Sequence, residues 1–317
     1  APKKVILRST SSILEDLKKM NVRAVGLANN HSTDFGYEGL FETMELLDRA
    51  GIQYSGAGRD LAEALRPAIL TFGELKVALL ACASDMLDHA VATERSPGLA
   101  PLRVDVQISY EARKHQEYVS PYPNIFTRVD EDDLKNLLIV MQKVKKQVDL
   151  IVVSIHWGLS LQPMVLEYQT DVAHRLIDHG ADVIMGHGPH VVHGMEMYER
   201  RPIFYSLSNF VFHEFPGFSA GERAQILHHQ PVRAFFDFGF RWRSTESLIG
   251  KVVILDSEIK RVEAIPIIID ENGDPQLCDN KSAKLTLDYI SVLSRLLGGS
   301  LTIKDGRGIL EASGFGS

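Results

Sequence analysis

Apolar and polar positions follow two periods along the 317 residues. In 11–20, Ile13, Leu14, Leu17 and Met20 fall at helical spacing behind a serine cap, which predicts a short helix. The continuous apolar run 22–28 predicts a buried strand. The polar stretch 29–36 follows it. Leu40, Met44 and Leu47 then share one face of a predicted helix over 39–50, with Gly51 as its stop. The strand and the second helix make a βα unit whose loop leaves the strand's carboxyl end.

Two apolar runs around Gly73-Glu74 predict a hairpin over 69–80. The segment 85–123 is polar and without clear period, and is expected to be a surface excursion or lid. A helix is expected over 132–148, carrying Leu134, Leu137, Leu138, Met141 and Val144. A second buried strand, 149–155, ends in His156-Trp157-Gly158. After a helix over 166–180, a third buried strand, 181–185, runs into Gly186-His187-Gly188-Pro189-His190. Beyond it the pattern changes to antiparallel hairpins, 195–198 with 203–207 and 248–255 with 261–269. A closing helix over 285–297 leads to 298–317, expected to be a partly disordered tail. The fold class expected is a layered α/β sandwich, with mixed sheets flanked by helices, in one domain over 1–297. No internal repeat is visible.

Three strands thus end in polar, histidine-bearing loops, expected on one edge of the sheet. Ligands of open α/β sheets bind outside the carboxyl ends of strands. Asn29, Asn30 and His31 follow the first strand; by themselves they also read as a turn. His156 closes the second strand, where a titratable ring is costly unless satisfied. In 186–190 two glycines and Pro189 hold two imidazoles on a short stiff loop, as ligation or phosphate contact requires. His193 reads as a support for His190 or as an exposed strand residue. Glu196, between Met195 and Met197, faces either site or solvent. Asn209 ends another strand. His174, Asp178 and His179 are expected to face solvent, and His228-His229 and Arg241-Trp242-Arg243 to be surface. Imidazoles, an amide and carboxylates together suit Zn²⁺, Mn²⁺ or Fe²⁺, as one ion or two.

Composition narrows the partners. Apolar residues make up 45 % and charged residues 24 %, as in a globular protein. A net charge of −7 argues against nucleic acid as the main partner but leaves room for an anionic substrate held by a few local cations. Cys82, inside the apolar run 77–83, is expected to be buried and unpaired with Cys278. No apolar run reaches the ~18–20 residues of a transmembrane helix. No signal peptide is expected within this stretch, and the start Ala1-Pro2-Lys3-Lys4 is expected to be that of a processed or trimmed product.

Five stretches, in this order, resemble the CapA family of bacterial capsule and poly-γ-glutamate synthesis proteins, within the calcineurin-like metallophosphatase superfamily. They are 27–39 (LANNHSTDFGYEG), 56–67 (GAGRDLAEALRP), 154–158 (SIHWG), 180–192 (GADVIMGHGPHVV) and 202–212 (PIFYSLSNFVF). The resemblance implies that Asn30, His156 and His187 ligate one divalent metal and that His190 leans toward a second. It implies that His31 is the catalytic histidine, with Asp34 orienting it or bracing its loop. Asn29, His193, Glu196 and Asn209 are candidate substrate contacts. The family's opening strand ending in Gly-Asp and its Asn-Leu-Glu motif do not precede Ser11. The fold is therefore expected to lack the first strands, and the metal site to lack their carboxylates. Gly188 and Ser208 depart from the family's usual His and Gly.

The function implied is a metal-dependent hydrolase or transferase acting on a phosphoester or γ-glutamyl amide. Two alternatives stay open: a non-catalytic accessory or polymer-binding protein of the envelope machinery, and a metal-independent acid–base peptide epimerase. The partners implied are an anionic polymer or peptide and membrane-bound synthases, with a place at the cell envelope.

Overall fold

The computed structural model describes residues 6–109, 124–212 and 245–311. The histidine pair 228–229, the run 241–243, part of the expected lid and the last residues of the chain lie outside them.

Helix α1 (Ile13–Lys19) leads to strand β1 (Ala24–Gly26), helix α2 (Gly36–Ala50) and strand β2 (Gln53–Ser55). Sequence predicts one long buried strand here. Instead β1 is three residues long, half-buried, and paired in parallel with β2 as a sheet of its own. The reason is its position across a face of the main sheet. A Cβ added at Gly26 would stand 3.2 Å from Ala81 Cβ and from Ser154 Oγ. Leu40, Met44 and Leu47 of α2 pack there with Leu27, Ile52 and Tyr54, as their spacing predicts.

Strand β3 (Ala57–Gly58) and helix α3 (Leu61–Ala64) precede the hairpin of β4 (Ala68–Phe72) and β5 (Leu75–Ala83), which turns at Gly73 with φ +62°. The expected excursion from residue 85 is partly built into the core. Strand β6 (Gly98–Leu99) pairs with β3, and Leu99, Ala100 and Leu102 are fully buried. Strand β7 (Val104–Ser109) pairs with β8 (Asn124–Val129). Contacts that come one or two residues at a time leave no period for sequence to show.

Helix α4 (Glu131–Val144) starts where the Asp130 carboxylate accepts the amides of Asp132 and Asp133. Strand β9 (Leu150–His156), helix α5 (Glu167–Asp178), and strands β10 (Val183–His187), β11 (Met195–Tyr198) and β12 (Arg201–Phe204) follow. The main sheet runs β11-β12-β10-β9-β5-β4. Its inner strands β12, β10, β9 and β5 are parallel and its edges antiparallel.

Strand alternation assigns its faces. Ile151, Val153 and Ile155 of β9 pack against Leu134, Leu137 and Met141 of α4 and Val172 and Leu176 of α5. Val152 turns the other way, toward a second sheet. That sheet holds β13 (Glu246–Leu255), β14 (Glu258–Ile269) and β15 (Pro275–Leu277), then, beyond helix α6 (Asn280–Leu296), β16 (Ser300–Lys304) and β17 (Arg307–Glu311). The expected tail is therefore corrected: 300–311 form a hairpin whose Leu301 and Leu310 enter the second core. Helices, main sheet, and the second sheet alongside the β1–α2–β2 unit make three layers. Cys82 is buried, and both cysteines are free thiols.

Leu102→Ala tests whether the start of the excursion is core. A loss of about 2–5 kcal/mol in urea unfolding is expected; a loss under about 0.5 kcal/mol, typical of surface positions, would restore the surface loop.

Candidate functional site

Strands β9 and β10 run parallel in a register that sets His187 opposite His156 at their carboxyl ends. Both side chains point to the face of the sheet shared with Ser154. His156 Nδ1 lies 3.2 Å from His187 Nδ1, and Ser154 Oγ lies 3.1 Å from His187 Nε2. One Nδ1 carries a proton and donates to the other. Burial, then the like charge of His190, brings the His187 pKa down to about 4, so this ring is neutral at pH 7.

The turn after β10 has a steric reason. Gly188 has φ +114°, and a Cβ there would stand 2.7 Å from the Trp157 carbonyl oxygen and 3.3 Å from His156 Nε2. The Trp157 backbone and the positive φ together call for glycine here. His190 adopts φ +61°, a left-handed conformation uncommon outside glycine. Its Nδ1 donates to Asn209 Oδ1 at 2.6 Å, and its ring meets Phe212 edge-on.

The loop after β1 carries a second unit. His31 Nδ1 is 2.7 Å from Asp34 Oδ2, and Asp34 also accepts the Leu7 amide at 2.7 Å. The carboxylate is 1 % exposed and the imidazole 26 %, so Asp34 fixes the Nδ1–H tautomer while the ring reaches solvent. Asn30 Nδ2 donates to Asp85 Oδ2 at 3.3 Å. Asp85 lies two residues past β5, and Ser84 between them donates its amide to the His156 carbonyl at 2.8 Å. Three strand ends are thus tied along one edge. Sequence analysis missed Asp85; its signal was a carboxylate two residues beyond the apolar run of β5, on the same edge as His156.

His31 lines a cavity of about 790 Å³ between 7–17 and α2, whose walls include neither His156, His187 nor His190. Other expectations change. Asn29, a candidate substrate contact, closes its own turn: Oδ1 accepts the His31 amide at 2.9 Å and Nδ2 reaches the Leu27 carbonyl. His193 is fully buried, with Nε2 2.7 Å from the Gln162 carbonyl, so it braces two loops instead of meeting a ligand. Glu196 lies on the opposite face of the main sheet because Met195 turns inward to the second core. There it accepts the Tyr205 hydroxyl at 2.7 Å and sits 2.9 Å from His174 Nε2. His174, expected in solvent, stacks on Tyr198 with ring centroids 3.9 Å apart.

A divalent metal can be tested against these donors. Two nitrogens on one ion at ~2.1 Å stand ~3.0–3.4 Å apart, and His156 and His187 meet that spacing. Among the described residues, however, no group of three or more His, Cys, Asp or Glu is placed to hold an ion. The pair supplies two arms of a metal site and not a full set, so no chemical step is derived through a metal. The imidazoles themselves can hold, give and accept protons, and the His31–Asp34 pair is built for that task.

A mixed α/β sandwich with histidines gathered at the carboxyl ends of parallel strands defines the class. Residues 1–214 match the family model described as bacterial capsule synthesis protein PGA_cap, and the chain belongs to that family. Uncharacterized protein y4sH of Sinorhizobium fredii is 32 % identical over 242 residues, 64 % of this chain and 52 % of that protein. Capsule biosynthesis protein CapA of Bacillus anthracis is 29 % identical over 212 residues, 67 % of this chain and 45 % of that protein. A protein of Mycobacterium tuberculosis named "Probable polyglutamine synthesis accessory protein" is 33 % identical over 195 residues, 62 % and 46 % of the two chains. The chain spans about half the length of these relatives.

Burial also depresses His193, to about 4, against its hydrogen bond to Gln162. An unfolded histidine takes up its proton near pH 6.5, whereas the folded ring waits until about pH 4. Stability is therefore complete above pH 6.5 and declines toward pH 4, by roughly 3 kcal/mol from this ring. His193→Gln keeps a donor for the Gln162 carbonyl and removes the titration. Its stability is expected to vary less over that window; a slope equal to the wild type's would contradict the assignment.

Proposed function

We propose that this chain carries the chemical site of a capsule-polymer synthesis protein, a hydrolase or transferase acting on a phosphoester or γ-glutamyl amide of an anionic polymer or peptide. The observation that supports it most is the pair of imidazole nitrogens 3.2 Å apart at the ends of two adjacent parallel strands. His156 and His187 would hold a divalent metal such as Mn²⁺, Zn²⁺ or Fe²⁺, with the Asn30 amide and His190 proposed in the same role. An ion completed there by further donors would supply Lewis-acid polarisation of the scissile group.

The protein's own groups do the rest. Asp34 holds the proton on His31 Nδ1, so Nε2 is the atom that exchanges a proton with a leaving group. Asn209 orients His190, and Ser154 orients His187. Membrane-bound synthases at the cell envelope are the partners this reading implies. No described helix is long and apolar enough to cross a membrane. A second reading, an accessory role without turnover, draws on the printed name of the mycobacterial relative.

The test pairs metal binding with turnover. Wild type is expected to take up Mn²⁺ or Zn²⁺ and to cleave an aryl phosphoester or a γ-glutamyl anilide. His187→Ala is expected to bind the ion at least ~10-fold more weakly, and His31→Ala to lose ~10²–10⁴-fold in kcat. Wild type that binds no ion and turns over neither substrate would overturn the reading in favour of the accessory role.

A further inference from the structure

The second sheet carries a charge arrangement that the histidine site does not use. Val262 and Ala264 of β14 and Leu310 of β17 point into the core. Alternation therefore turns Arg261, Glu263 and Arg307 to the outer face, and Lys251 lies opposite Glu263 in register. Glu263 is nevertheless 1 % exposed. Three cations cover it: Arg261 Nε at 2.6 Å, Arg307 Nη1 at 2.9 Å and Lys251 Nζ at 3.7 Å. Each of the three side chains stays about half exposed, at 55 %, 47 % and 44 %.

One carboxylate cannot neutralise three cations. Lys304 adds a fourth, in register with Arg307 on β16, against Glu311 of β17 and Asp305 in the turn that joins the two strands. The surplus is positive on a protein whose net charge is −7. Each guanidinium has five N–H donors in a planar fork that matches a carboxylate, and Glu263 engages one nitrogen of each. Glu263 thus fixes the direction of the forks more than it saturates them. From β13 to β16 the cations cross four strands, ~14 Å at ~4.8 Å per strand.

We propose that this outer face of the second sheet is a docking platform for an extended polycarboxylate chain, the anionic polymer of the reading above, on which the identity of the ligand rests. Charge complementarity selects the occupant, and the spread of the cations selects a polymer. A single exposed ion pair contributes little, so a free amino acid gains almost nothing here. A chain that meets several cations together gains through effective concentration.

The experiment uses the full chain and labelled poly-γ-glutamate, followed by fluorescence anisotropy at low and raised salt. Saturable binding that salt weakens is expected, with none for free glutamate. Two variants remove the platform differently. Lys304→Glu leaves the neighbours of Glu263 intact. A fourfold variant, Lys251→Gln, Arg261→Gln, Glu263→Gln and Arg307→Gln, removes the cations together with the carboxylate they cover, so that no buried charge is stranded. Binding is expected to weaken severalfold in the first and roughly tenfold or more in the second. Turnover of the aryl phosphoester and the γ-glutamyl anilide is read on the same preparations, so a failure of the chemical site reads out separately from polymer binding. Absence of polymer binding at low salt, or binding unchanged in both variants, would overturn the proposal.

Discussion

Two parallel strands that stop at the same level, each on a histidine, hold the rest of the site in place. The hydrogen bonds between β9 and β10 fix the backbone of His187 beside that of His156, so the two rings leave adjacent points on the same face. Placing imidazoles in an apolar sheet is costly unless their nitrogens are satisfied. Here each ring satisfies the other, and Ser154 adds a third group. The same burial keeps His187 neutral and so able to act as a ligand or a proton acceptor. The close turn at Gly188 and the left-handed backbone of His190 follow from the need to bring the chain back across the pair.

Around this pair the layers divide the work. Helices α4 and α5 seal one face of the sheet with leucine and valine. The opposite face is shared by the β1–α2–β2 unit and the second sheet. The first brings Asn30 to Asp85 and the His31–Asp34 couple to a cavity of its own. The second presents a cationic outer surface. His31, oriented by a buried carboxylate, and His187, held neutral by burial, are chemically distinct imidazoles. A polymer long enough to cross the cationic sheet could be held by one layer while another acts on it.

Much of this was legible in the chain. Apolar runs that end in His156 and His187 gave both the strands and their carboxyl edge, because a buried strand and a polar stop are separate signals. The face of α2 was equally plain from Leu40, Met44 and Leu47. What sequence could not carry was relative placement. Nothing local says that 24–26 leaves the main sheet, that Leu99 and Leu102 are core, or that the last hairpin completes a second sheet. Glu196 shows the same limit: its alternation with methionines was visible, but which face held the histidines was not. His193 looked like a site residue from its nearness to His190 along the chain, and only the fold puts it under Gln162.

The central claim is that His156 and His187 form one unit. Nitrogen-15 NMR of the two rings through a pH titration tests it most directly. The account predicts that the two spectra change together and that His187 remains neutral at pH 5. Two rings that titrate independently, each near pH 6.5, would contradict it.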